Sequence, residues 1–156
     1  MWGDHKIKDY SDKRSVNKPF NQLLFKNNDE KGRKVVIKYC ALSNIYAVNH
    51  PNMYAVDLIL YKDSQKVAYA EVEVRSSWNT DIFPFQTLNV PSRKKKLLQN
   101  DLPTYFFSIN CILTRMYMTT DHVILSSKLS VVENKYIQDN EWFYKVNLDQ
   151  CTLIYI

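Results

Sequence analysis

With 156 residues, 46% of them apolar and 24% charged, the chain has material for one compact core and too little for two ordinary domains; no apolar run reaches the roughly 18 to 20 residues of a membrane helix. Its 21 Lys and Arg against 16 Asp and Glu give a formal charge of +5, which favours a polyanionic partner such as a nucleic acid. Only two glycines occur, Gly3 and Gly32, so a Walker loop and a G-x-G-x-x-G fingerprint are both excluded, and the nucleotide-dependent enzymes with them.

The N-terminal stretch MWGDHKIKDYSDKRSVNK is polar and lacks the apolar centre of a signal peptide. It reads as an arm over residues 1–18 of a soluble, cytoplasmic protein. Low glycine with abundant Lys and Asn fits a phage or viral product, in which case the compartment is the host cytoplasm. A single domain then covers residues 19–156. From Asn27, an Asn-x-x-Glu start (Asn27, Glu30) with apolar Val36, Tyr39 and Cys40 behind it suits an amphipathic helix. The β-branched run Val35, Val36, Ile37 would equally begin a strand, and Gly32 costs a helix interior about 1 kcal/mol.

Two runs rich in Val, Ile, Leu and Tyr flank Lys62, Asp63, Ser64 and Gln65, the signature of a β-hairpin. In the second run Ala68, Ala70, Val72 and Val74 share one side, while Val67, Tyr69, Glu71, Glu73 and Arg75 share the other. After a loop with Trp78, Phe83, Pro84 and Phe85, the segment NVPSRKKKLLQN predicts a second helix from about residue 91 to 100, its first turns carrying Arg93, Lys94, Lys95 and Lys96. Strands follow over Tyr105 to Ile109 and Arg115 to Thr119. The tail ends in a predicted hairpin, WFYKVN and CTLIYI, turning around Leu148, Asp149 and Gln150. Helix, strand, strand, helix, strand and further C-terminal strands make a mixed β-sheet flanked by helices, an α/β or α+β fold.

Cys40, Cys111 and Cys151, and His5, His50 and His122, form no C-x-x-C, H-x-H or H-E-x-x-H group. The cysteines read as small buried apolar residues, and carboxylates are left as candidate metal ligands. Asp57, at the middle of the hairpin's first strand, can lie beside Glu71 and Glu73 at the end of the second. Alternate residues of a strand are about 6.6 Å apart and paired strands about 4.8 Å, so the three acids can converge on one ion. Hard oxygen ligands suit Mg²⁺ or Mn²⁺, which polarises a phosphodiester and activates water. Glu71, Glu73 and Arg75 also fit the solvated face of an ordinary amphipathic strand, with Arg75 and Lys66 offering charge relief.

The stretch YAVNHPNMYAVDLILYKDSQKVAYAEVEVRSSW resembles the PD-(D/E)XK nuclease superfamily, whose core runs helix, Asp strand, Glu-x-Lys strand, helix, strand. The resemblance covers roughly residues 27 to 110. It implies a restriction-endonuclease-like core and a Mg²⁺-dependent endonuclease (or Mn²⁺-dependent) acting on DNA, with Asp57 and Glu71 as metal ligands. Glu73 stands where the family has lysine, which leaves two registers open. In Glu71-Val72-Glu73, the preferred one, Glu73 is base or further ligand. In Glu73-Val74-Arg75 the arginine replaces lysine and, because a guanidinium does not readily give up a proton, only stabilises charge. Glu30 corresponds to a helix glutamate that completes the metal shell in many members, although it also suits a capping box. Arg93, Lys94 and Lys95 are the candidate phosphate contacts, and Trp78, Phe83 and Phe85 are either base-stacking residues or loop anchors. Domains of this size in the family often dimerise to cut both strands, and no residue marks an interface. A catalytically inactive module of the same fold, binding nucleic acid or protein, is the alternative.

Overall fold

The computed structural model describes residues 22–132 and 141–156, and side chains within them from Asp29 to Val131 and from Glu141 onward. The expected arm over residues 1–18 lies outside the described residues.

Helix α1 (Gln22–Ala41) already includes the five described residues before the predicted Asn27 start. Gly32, Val36 and Cys40, spaced four apart, form the stripe it lays on the sheet; Val36 and Cys40 are buried. Gly32 is there because a Cβ would lie 2.8 Å from Val74 Cγ2 and 3.1 Å from Val72 Cγ1. The helix stops at Asn44, in the left-handed region at φ 59°. Asn44 N–H donates to Ala41 O and Ile45 N–H to Cys40 O, the paired bonds of a Schellman cap.

Strands β1 (Tyr46–Asn49), β2 (Leu58–Lys62) and β3 (Gln65–Arg75) run antiparallel in sequence. The β2–β3 turn is carried by Asp63 and Ser64, with φ of 51° and 65°, the two positive values a type I′ turn demands. The predicted hairpin is thus present, with a register shift between Leu60 and Tyr61. Strand β4 (Thr87–Pro91) and a 3-10 helix, Ser92–Leu97, follow. Then come β5 (Thr104–Asn110), β6 (Arg115–Thr120), the short helix α2 (Asp121–Leu125), β7 (Lys128–Val132), β8 (Glu141–Asn147), a 3-10 turn at Leu148–Gln150, and β9 (Thr152–Tyr155).

Six strands form one mixed sheet in the order β1-β2-β3-β5-β6-β9, where β3 and β5 are parallel and the other neighbours antiparallel. The remaining three form a second sheet, β4-β8-β7. The alternation along β3 and β5 sorts the core into layers. Ala68, Ala70, Val72, Phe107 and Ile109 meet Val36 and Cys40 of α1. From the other face Phe106 meets Leu88, Val90, Leu98, Ile124, Tyr144 and Val146. The adjacent Phe106 and Phe107 therefore feed opposite layers. The mixed α+β class expected from the sequence is observed.

Two elements differ from expectation. The helix predicted over residues 91–100 is a single 3-10 segment, Ser92–Leu97, and Pro91 ends the strand before it, whose Leu88 and Val90 pair and pack with β8, a partner far along the chain. The C-terminal strands form, but not as a hairpin: β8 joins β4 and β7, whereas β9 joins β6. Their apolar sets belong to different layers, Tyr144 and Val146 to one and Ile154 to the other.

Candidate functional site

The polar side of β3 points toward the layer that holds the second sheet and the 3-10 helix. Glu71, Glu73 and Arg75 lie level with Phe106, Ser108 and Asn110 of β5. Asp57 immediately precedes β2 rather than occupying its middle. The last pair on that ladder is Leu58↔Ala70, so one further step sets Asp57 opposite Glu71. Two bonds fix the aspartate: His50 N–H donates to its carbonyl at 2.9 Å, and Val72 N–H donates to Oδ2 at 2.8 Å. Its other oxygen, Oδ1, is buried and has no hydrogen-bond partner among the described residues.

Neither Asp57 nor Glu71 exposes surface, both being at 0%. The solvated-face reading of β3 therefore fails at its most important position. Two facing carboxylates removed from water carry a heavy desolvation and repulsion cost unless a cation stands against them. Lys94, itself only 2% exposed, supplies one. Its Nζ lies 3.4 Å from Glu71 Oε2 and 4.0 Å from Glu73 Oε2, and 5.3 Å from the centre of the Phe106 ring.

Glu73 is drawn elsewhere. Its Oε1 takes the Arg75 guanidinium at 2.7 Å and the Ser108 hydroxyl at 3.1 Å. Arg75 in turn donates from Nε to Ser108 Oγ at 3.1 Å and from Nη2 to the Asn89 carbonyl at 3.0 Å, tying the site to β4. The expected convergence of three carboxylates is accordingly not formed; among the described residues no group of three or more His, Cys, Asp or Glu side chains is arranged around a metal position. What fits a hard divalent ion is the Asp57 and Glu71 pair, with the orphaned Asp57 Oδ1 as its clearest donor. Two protein carboxylates are the ordinary complement for Mg²⁺, which keeps several waters or phosphate oxygens as its remaining ligands.

The other predicted residues scatter. Glu30 is exposed and pairs with Lys34 at 3.4 Å, a helix-surface contact, so it does not join Asp57 and Glu71. Its neighbour Asp29 is the buried acid of that turn and pairs with Arg33. Arg93, expected on phosphate, is taken by Glu141 of β8. Lys94, expected on phosphate, is turned inward, while Lys95 and Lys96 are exposed. Lys66 sits over the Tyr69 ring at 5.8 Å, near the start of β3. Trp78 and Phe83 anchor their loop: Trp78 is fully buried, stacked on Tyr117 at 5.6 Å with Phe83 edge-on at 4.9 Å, whereas Phe85 is exposed and meets Phe83 edge-on at 5.6 Å. Cys40 is buried as expected, and Cys111 and Cys151 are half-buried.

One site residue, Ser108, carried no signal in the sequence. Lys94 was expected on phosphate and stands instead against Glu71: in a 3-10 helix residues three apart eclipse, which aligns Lys94 with the buried Leu97 and leaves Lys95 and Lys96 outside. Among the described residues no helix is long and apolar enough to cross a membrane. Comparison of the chain with protein-family models, with curated proteins and with solved structures found no match.

Proposed function

We propose that the chain is a divalent-metal-dependent endonuclease of the PD-(D/E)XK type, hydrolysing phosphodiester bonds of DNA. The observation that carries the reading is the fully buried Asp57 and Glu71 pair on adjacent strands, with a lysine ammonium 3.4 Å from the glutamate. The element order supports it. A helix, three antiparallel strands, a crossover and a strand parallel to the third agree with a restriction-endonuclease-like core.

In this reading Asp57 and Glu71 would hold Mg²⁺ or Mn²⁺, and Asp57 lying level with Glu71 supports the preferred Glu71-Val72-Glu73 register. An ion held by these two carboxylates would polarise the phosphodiester and make a water more acidic. Glu73, whose side chain keeps 22% of its surface and is oriented by Arg75 and Ser108, accepts the proton of the attacking water. Lys94 sets its charge against negative charge that builds on the phosphoryl group. Arg75 cannot take that proton, so its work is to orient Glu73. The exposed Lys95 and Lys96 hold the backbone. Because both acids are covered, substrate reaches them only when the elements above them part.

The test is incubation of supercoiled plasmid with the protein and Mg²⁺, alongside Asp57→Asn and Glu71→Gln. Nicking by the wild type that both substitutions abolish supports the reading; equal nicking by all three sinks it. A second reading, an inactive module of this fold that binds nucleic acid, draws on the closure of the cluster and on Lys94 already standing against Glu71. It predicts salt-sensitive DNA binding without cleavage.

A further inference from the structure

We propose that Lys94 is the resident counter-ion of the carboxylate pair, one that keeps the site folded without a divalent ion and is displaced from Glu71 when the ion binds. The proposal rests on the metal reading of Asp57 and Glu71.

The charges around β3 motivate it. Asp57, Glu71 and Glu73 bring three carboxylates, and Arg75 and Lys94 bring two cations to the same five-residue cluster. Arg75 is committed to Glu73, to Ser108 and to the Asn89 carbonyl. Arg93 is committed to Glu141 and Lys66 to the far end of the strand. Lys94 is the described cation placed against Glu71. Its 3.4 Å contact is longer than the roughly 2.7 to 2.9 Å of a tight charge-assisted bond, and the ammonium also leans on the Phe106 ring face.

The residue type matters as much as the placement. A lysine has a compact charge on a flexible four-carbon stem and can give up one oxygen for another, whereas a forked guanidinium would lock the carboxylate. Asp57 Oδ1, buried with no described hydrogen-bond partner, marks the position that Lys94 does not serve. An ion bound there needs Glu71 as its second ligand and competes with Lys94 for it. The lysine thus lets the protein fold before the metal arrives, and it weakens the metal's hold.

The experiment removes the charge and keeps the stem. Lys94→Met, the double variant Lys94→Met/Glu71→Gln and the wild type are melted with EDTA and with Mn²⁺, and their Mn²⁺ affinity is measured by calorimetry. In EDTA the single variant should melt about 10 °C below wild type, the size expected from breaking a buried ion pair in a chain of this length. Mn²⁺ should bind the single variant at least about tenfold more tightly than wild type and recover its melting point. The double variant should regain wild-type stability in EDTA and lose the Mn²⁺ response. A single variant too unstable to fold in EDTA is refolded in Mn²⁺, and success there supports the proposal. A single variant as stable as wild type overturns it, as does a double variant no better than the single, which would make the loss one of packing. Equal Mn²⁺ affinity in wild type and single variant overturns the displacement alone. A double-variant rescue with no Mn²⁺ binding by any protein overturns the displacement together with the metal reading.

Discussion

Asp57 separates structure from function within one side chain, because its two oxygens have different tasks. Oδ2 accepts the Val72 N–H at 2.8 Å inside the sheet, and Oδ1 meets no described donor. Asp57→Ala removes both and strands a buried amide, at a cost of about 1 to 3 kcal/mol. Asp57→Asn keeps an acceptor for Val72 and removes the negative charge that faces Glu71, so in EDTA it should be at least as stable as wild type. The two variants should therefore differ by about 1 to 3 kcal/mol, or roughly 3 to 10 °C in melting temperature for a chain of this size. Urea unfolding followed by tryptophan fluorescence, with EDTA throughout, measures the gap. Repeating the series in Mn²⁺ should raise the wild type and leave Asp57→Asn unmoved. If Asp57→Asn loses as much as Asp57→Ala in EDTA, the aspartate's charge is structural and the division of labour is refuted.

Gly32→Ala should destabilise by about 1 kcal/mol despite its gain of about 1 kcal/mol in helix propensity, because the new methyl meets the stiff Val74 side chain; in a Val74→Ala background the same change should become stabilising, as read by urea midpoints. Lys128 and Lys145 face each other across β7 and β8, so Lys128→Glu should stabilise by about 0.5 kcal/mol at low salt and by less at 1 M salt. Burial pushes the Cys151 thiol from an ordinary 9.0 to about 11, so at pH 8 it holds about a hundredfold less thiolate than an ordinary cysteine. Its alkylation, followed by peptide mass spectrometry, should be slow at pH 8 and rise about tenfold per pH unit until the pH nears 11; fast labelling at pH 8 would contradict that environment.

The β2–β3 hairpin and the two faces of β3 were legible in the sequence because period-two alternation and a two-residue polar turn are local signals. The partnership of Asp57 with Glu71 followed from that hairpin alone. What could not be read was set by distant partners. β4 is a strand because β8 lies beside it, and Arg93 pairs with Glu141, which sits on another strand. Glu30 was credible by position in the helix, yet the burial of its neighbour Asp29 shows that one residue of helical phase, about 100°, decides which acid turns inward. Lys94 was singled out for phosphate, and the structure sets it against Glu71 instead. A run of basic residues suggests a solvated face, but the three-residue period of a 3-10 turn sends one of them into the site.

The central claim is that Asp57 and Glu71 together hold a catalytic divalent ion, and its most direct test is calorimetric titration of metal-free protein with Mn²⁺. One ion per chain, bound with a dissociation constant below about 1 mM (about 4 kcal/mol or better) and lost in both Asp57→Asn and Glu71→Gln, is the predicted result. Wild-type protein that takes up no Mn²⁺ at millimolar concentration, or binding that survives both substitutions, would contradict the claim.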